Sequence, residues 1–302
     1  MSVLTVENLS KKYGNIQALN NVNFSVPEGT VFGILGPNGS GKTTLLGIAM
    51  DVLRPTEGSC TWNGKSGSED QRKQIGTLLE TPNFYHYLSA EDNLKIAARI
   101  KKRGITDIPE VLKMVNLYER RKSKFNSYSL GMKQRLAIAS SLLGNPSILV
   151  FDEPTNGLDP AGIAEIRDLI QLLNNEGKTI IMASHILDEV EKVCTHVAII
   201  QKGVLKTVGS VAEVLNVSTA CKIIELAADD ITVLQQILKQ LSGVSDIKIF
   251  ENGLQIFCDD SVSAAQVNEF CFSKGIVLNR LNVKRKTLET RFLEITGTQS
   301  DR

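Results

Sequence analysis

Two short stretches of this chain carry side chains suited to phosphate chemistry. Gly36 to Thr43 reads Gly-Pro-Asn-Gly-Ser-Gly-Lys-Thr, the spacing GxxxxGK followed by Ser or Thr. Glycines in such a loop let backbone N–H groups close around a phosphate with no Cβ in the way. Gly36, Asn38, Gly39, Ser40 and Gly41 are therefore expected to line the phosphates of a nucleotide. Lys42 is expected to reach the β- and γ-phosphates, Thr43 to offer its hydroxyl to Mg²⁺, and Thr44 to bond an outer phosphate oxygen. The second stretch, Ile148 to Glu153, is an apolar run ending in two carboxylates. Adjacent side chains at a strand end diverge, so the two take different tasks. Asp152 is expected to hold Mg²⁺, directly or through water, and Glu153 to activate the attacking water as general base.

The elements around these residues must place them. Thr30 to Leu35, Ser147 to Phe151, Thr179 to Ala183 and Val197 to Gln201 are short and apolar throughout, as strands of a parallel sheet covered on both faces must be. The first of these feeds the glycine loop, and a helix is expected to start at Lys42, its N-terminus aimed at the phosphates. Val3 to Val6 and Val22 to Val26 alternate as half-buried strands. Between residues 89 and 145 helical patterns take over: Ala90 to Arg103, Ile108 to Leu117 and Met132 to Leu143. Beyond Leu215 the order is strand, helix, hairpin, helix, strand, over Cys221–Leu226, Ile231–Leu241, Ile247–Phe250, Leu254–Cys258, Val262–Lys274 and Ile276–Val283. That is the ferredoxin-like β-α-β-β-α-β pattern, and a last helix is expected over Thr287–Ile295. The expectation is an α/β nucleotide-binding domain over residues 1–215, with a helical subdomain at about 89–145, and a small α+β domain over 216–302.

A phosphate loop and an acidic strand suit GTPases, kinases and helicases as well. Four further features narrow the choice. Tyr128-Ser129-Leu130-Gly131-Met132-Lys133-Gln134-Arg135 resembles the signature sequence of the ABC ATPases, keeping its serine and one glycine. Asn156-Gly157-Leu158-Asp159 resembles the loop that follows the catalytic carboxylate in that family, and His185, after the strand Thr179–Ala183, resembles its switch histidine. Tyr13, ahead of the phosphate loop, resembles the aromatic residue that stacks on adenine. The resemblance spans roughly residues 1–215 with the elements in family order. It implies an ATPase domain that pairs head-to-tail with a second copy, sandwiching ATP and Mg²⁺. In that dimer Ser129 and the Gly131 backbone would contact the γ-phosphate held by the other copy, Asp159 would join the two sites, and His185 would contact the γ-phosphate and position the water.

The chain also departs from the family. Glu80 stands where most members carry the glutamine that approaches Mg²⁺, which makes it a further metal candidate. Tyr128, Leu130 and Met132 replace the usual leucine, glycine and glutamine of the signature. With these departures, and with Leu288 to Gly297 at the close, the chain resembles the ATP-binding subunits of bacitracin-resistance and lantibiotic-immunity exporters. That resemblance implies a transporter motor of exporter type. A separate membrane permease would dock near Phe84, Tyr85, Tyr87 and Leu88, and hold the chain at the inner face of the cell membrane.

Composition agrees with a globular chain: 302 residues, 42% hydrophobic and 22% charged, with a net charge of +1. No apolar run approaches the ~20 residues that span a bilayer, so another chain is expected to do the crossing. The near-balance of charge argues against nucleic acid as a partner. Five scattered cysteines without a CxxC pair argue against disulfide or zinc frameworks. Two alternatives stay open on sequence alone: a soluble ABC ATPase acting on ribosomes or DNA, and an ATP-binding regulator without turnover.

Overall fold

The computed structural model describes residues 1–66, 69–79, 83–216, 222–250, 252–259, 261–284 and 287–296. Glu80 and Cys221, together with Glu251 of the expected hairpin and the closing Gly297, lie outside the described residues. The chain divides into two compact units, Met1–Val211 and Ala212–Arg302.

The first unit opens with β1 (Ser2–Tyr13), β2 (Ile16–Pro27), β3 (Val31–Leu35), α1 (Lys42–Ala49), β4 (Glu57–Trp62), β5 (Lys65–Ser66), α2 (Glu69–Lys73) and β6 (Ile75–Leu78). Three helices follow, α3 (Ala90–Lys101), α4 (Ile108–Met114) and α5 (Leu130–Leu142). The unit then alternates through β7 (Ile148–Asp152), α6 (Pro160–Asn175), β8 (Thr179–Ser184), α7 (Leu187–Val193), β9 (His196–Gln201) and β10 (Val204–Ser210). Among the described residues these strands form two sheets, one in the order β2-β1-β4-β5 and one in the order β10-β9-β3-β8-β7-β6. In the larger sheet every pairing from β9 to β6 is parallel, and only β10 runs antiparallel.

Burial explains the parallel sheet. Every residue of β3, β7 and β8 is buried, as strands covered by helices on both faces require. The core joins both sheets to α1: Leu4, Trp62, Phe32, Leu45 and Ile181 belong to one cluster. Trp62 Nε1 donates to Ala49 O at 2.8 Å, tying β4 to a carbonyl that the last turn of α1 would otherwise leave unpaired. A Cβ on Gly33 would fall 2.8 Å from Val190 Cγ1, so α7 packs directly on β3. Gly33 thereby fixes the helix that follows His185 against the strand that precedes the phosphate loop.

The observed elements differ from expectation mainly at their ends. The helix α5 starts at Leu130, before Met132, because Ser129 caps it. The helix α4 stops at Met114, short of Leu117, and Asn116 takes a left-handed φ of 54° just beyond it. The strands β4 and β10 were not expected, because neither Glu57–Trp62 nor Val204–Ser210 makes an apolar run.

Next in sequence come α8 (Val211–Asn216), β11 (Lys222–Ala227), α9 (Ile231–Leu238), β12 (Val244–Phe250), β13 (Gly253–Cys258), α10 (Ala264–Ser273), β14 (Arg280–Lys284) and α11 (Leu288–Thr296). The second unit's sheet has the order β12-β13-β11-β14 with all pairings antiparallel. Its core is a separate cluster that includes Ile224, Leu226, Leu234, Leu254, Ile256 and Val267. The last strand begins at Arg280 rather than Ile276, since Ile276 N still donates to Cys271 O and closes α10.

Candidate functional site

Three parallel strands end at one edge of the larger sheet. Leu35 of β3 pairs with Ser184 of β8, and Asp152 of β7 pairs with Ala183 of β8. The segments leaving these strand ends therefore meet outside the same edge, the usual place for a ligand on a parallel sheet.

The first segment is the glycine loop. A Cβ on Gly36 would lie 2.2 Å from Ile200 O and 2.4 Å from Ser40 Oγ, and one on Gly41 would lie 2.6 Å from Ala18 O. Gly41 also takes φ 108°, a left-handed value that glycine alone adopts easily. Pro37, Asn38 and Gly39 are exposed while Ser40 is buried, its Oγ without a hydrogen-bond partner. Lys42 starts α1 and is buried; its Nζ donates to Gly36 O at 2.8 Å and to Pro37 O at 3.2 Å. Thr43 is exposed and Thr44 half-buried on the same first turn. The loop thus presents its tip and a helix N-terminus to solvent, with an ammonium beneath.

The second segment leaves β7. Asp152 is the strand's last residue and is buried. Glu153 takes φ 49°, a left-handed conformation that costs a non-glycine residue about 1–3 kcal/mol. Two backbone bonds hold it there, Glu153 N to Ala183 O at 3.0 Å and Asn156 N to Glu153 O at 3.1 Å. The twist points the Glu153 carboxylate between two partners. Its Oε1 lies 3.4 Å from Lys42 Nζ, and its Oε2 lies 2.8 Å from His185 Nδ1. Lys42, Glu153 and His185, far apart in the chain, therefore form one continuous polar contact.

Ser129, Gly131 and Asp159 gather at a different place. Together with Leu130, Gly157 and Leu158 they line a depression of about 350 Å³. Two of the three cap helices: Ser129 Oγ accepts from Met132 N at 3.3 Å at the start of α5, and Asp159 Oδ1 accepts from Gly162 N at 3.0 Å at the start of α6. A cap uses the serine oxygen as acceptor and leaves its proton free to donate. A Cβ on Gly131 would meet nothing nearer than Leu158 Cδ2 at 3.7 Å. The open space over Gly131 leaves its backbone approachable. Tyr13 ends β1, 44% exposed, with Lys11 Nζ 4.9 Å from its ring centroid.

Some contributors were not anticipated. The Arg135–Glu165 ion pair, 3.1 Å apart, lines the same depression as Ser129. Thr155 and Glu189, each close in sequence to one member of the Glu153–His185 contact, form a buried hydrogen bond. Arg135 closes the signature stretch and Thr155 lies just before Asn156; nothing in the sequence pairs either with its partner. Among the described residues no group of three or more His, Cys, Asp or Glu side chains could hold a metal ion.

A groove of about 670 Å³ lies elsewhere on the first unit, lined by Leu78, Leu79, Phe84, Tyr85, Ile96 and Ile100 among others. Among the described residues no helix is long and apolar enough to cross a membrane.

The sequence profile of the ABC transporter family matches residues 19–156. The bacitracin transport ATP-binding protein BcrA of Enterococcus faecalis is 33% identical over 301 residues, spanning 98% of this chain and 96% of that protein. The lantibiotic transport ATP-binding protein SrtF of Streptococcus pyogenes is 42% identical over 201 residues, or 67% of this chain and 88% of that protein. Among solved structures, a dimeric ATP-binding cassette in a post-hydrolysis state with ADP and Pi superposes with a TM-score of 0.62 at 30% identity, covering 68% of this chain and 98% of that one.

Proposed function

This chain belongs to the ABC transporter family as an ATP-binding subunit, and from that premise we propose how its site works and what it serves. The subunit is an ATPase whose hydrolysis is coupled to transport. Gly36 to Gly41 wrap the phosphates of ATP, Lys42 neutralises them, and Tyr13 stacks on the adenine. Thr43 and Asp152 hold Mg²⁺ with the phosphates, and the ion supplies charge stabilisation when bound. Glu80 remains a metal candidate outside the described residues.

Glu153 takes the proton of the attacking water, and His185 orients both that carboxylate and the terminal phosphate. The observation that carries this reading is the simultaneous contact of Glu153 with Lys42 and His185. A base must lie where the charge develops, and the strained backbone at Glu153 puts its carboxylate beside the phosphate-binding ammonium.

A second copy completes the site. Ser129 and the Gly131 backbone, at the start of α5, face the γ-phosphate bound by the partner, and Asp159 links the two sites. The dimeric cassette found among the solved structures supports this arrangement, as does the collection of these residues in one depression. The groove beside α3 receives an apolar segment of a separate membrane permease, which holds the subunit at the cytoplasmic face of the membrane. The 212–302 unit is an accessory module, read from its ferredoxin-like order alone.

The similarity to BcrA runs through both units, and it supports export of a peptide antibiotic as the work of the complete transporter. The test is purification of the tagged full chain from detergent-solubilised membranes. A stoichiometric multi-span partner, and ATP hydrolysis by the complex that rises with bacitracin-type or lantibiotic peptides, support the proposal. Active ATPase recovered without any membrane partner contradicts it.

A further inference from the structure

Thr155 and Glu189 are both nearly sealed from solvent, at 4% and 7% exposure. Thr155 Oγ1 donates to Glu189 Oε2 at 2.6 Å, a length typical of a charge-assisted O–H···O⁻ bond. Glu189 lies in the first turn of α7, where the helix dipole favours a carboxylate. Packing alone does not account for the pair. A buried carboxylate costs several kcal/mol unless it is bonded, and an apolar pair would fill the same space without that cost.

The placement of the pair points to its use. Thr155 follows Glu153 across Pro154, and Glu189 lies four residues after His185, in the first turn of α7. The chain therefore closes a ring: Glu153 to Thr155 along the backbone, across 2.6 Å to Glu189, back through the start of α7 and Ile186 to His185, and across 2.8 Å to Glu153. Two hydrogen bonds span this ring, one at the Glu153 carboxylate and one between the buried side chains. The far side of the ring is rigid, because α7 packs on β3 at Gly33 and Ile186 N donates to Ser184 Oγ at 3.0 Å. The near side leads into the turn that ends at Asp159, with Leu158 N bonded to Thr155 O at 3.2 Å.

We propose that Thr155 and Glu189 are positioning residues for hydrolysis: their buried hydrogen bond holds the Glu153 carboxylate at contact distance from His185. The inference rests on the reading of Glu153 as the base. Neither residue touches nucleotide; both act through the carboxylate they align. A directional bond does this better than apolar packing, because a misplacement of about 1 Å at a reacting group costs on the order of 100-fold in rate.

The test uses the full chain with ATP as substrate, measuring kcat per nucleotide-binding site and KM. Thr155→Val keeps the shape and removes the donor. It lowers kcat about tenfold with KM within about twofold, while Thr155→Ser, which restores the hydroxyl, returns kcat to within about twofold of the parent. Should Thr155→Val fail to fold, Glu189→Gln reads the same coupling: it keeps an acceptor oxygen but loses the charge, and kcat falls about threefold at unchanged KM. The Glu153→Gln variant is the control. If Glu153→Gln abolishes turnover while Thr155→Val and Glu189→Gln keep the parent kcat, the pair is structural only and the inference fails. Turnover that survives Glu153→Gln removes the base assignment beneath it instead.

Discussion

His185 Nδ1 lies 2.8 Å from Glu153 Oε2. The contact joins the residue after β8 to the residue after β7, and it exists because the two strands pair in parallel up to Asp152 and Ala183. The imidazole and the carboxylate orient each other, and in the proposed site the second ring nitrogen meets a phosphate oxygen. His185→Ala removes that orientation without touching the phosphate loop. Turnover is expected to fall about 100-fold with ATP affinity nearly unchanged, as steady-state hydrolysis and fluorescent-nucleotide titration will show.

Gly36 is the tightest point of the loop. Its missing Cβ would fall 2.2 Å from a backbone carbonyl, Ile200 O, which cannot swing aside. Gly36→Ala must shift the loop or the end of β9, at a cost of about 1–3 kcal/mol. Thermal unfolding should report the lost stability, and nucleotide titration a weakened site. An Ala variant that binds ATP as the parent does would show that the loop does not close around phosphate as described.

Ser129 serves its own helix and, in the proposed dimer, the partner's nucleotide. The two roles separate by substitution. Ser129→Asp preserves an N-cap and should unfold at the parent temperature, yet it sets a carboxylate against the γ-phosphate and should abolish hydrolysis. Ser129→Ala should cost about 1 kcal/mol of stability and only part of the turnover. If Ser129→Asp hydrolyses ATP normally, the start of α5 does not meet a phosphate.

Lys101 ends α3, and its Nζ donates to Ser140 O at 2.7 Å in the last turn of α5. Burial, and next the charge of Arg103, bring its pKa from 10.5 down to about 8. The folded chain then loses this proton at a lower pH than the unfolded chain does. Between those two values the unfolded state binds more protons, so stability rises with pH across the window. Lys101→Met should flatten that rise in urea unfolding measured from about pH 8 upward, and an identical slope in parent and variant would assign it to other groups.

Much of the site was legible in the sequence because its parts are contiguous. The apolar run before Gly36 and the one ending at Asp152 each declare a buried strand and the reactive segment that leaves it. What was not legible is pairing between distant positions. No pattern in the sequence joins Thr155 to Glu189 or Arg135 to Glu165; the order of strands in the sheet makes those contacts. Strands β4 and β10 were missed because Glu57–Trp62 and Val204–Ser210 are largely exposed or half-buried and polar-interrupted, so neither shows the apolar run that marks β3. Helix ends were misplaced where a single residue decides them, as Ser129 does for α5.

In the proposed site Glu153 activates water beside a phosphate held by Lys42. Glu153→Gln in the full chain tests it most directly, by comparing nucleotide binding with hydrolysis in one preparation. The amide keeps the shape and a hydrogen bond to His185 but cannot take a proton. ATP should bind as in the parent, with kcat lower by about 100-fold or more. Hydrolysis at the parent rate in that variant would contradict it.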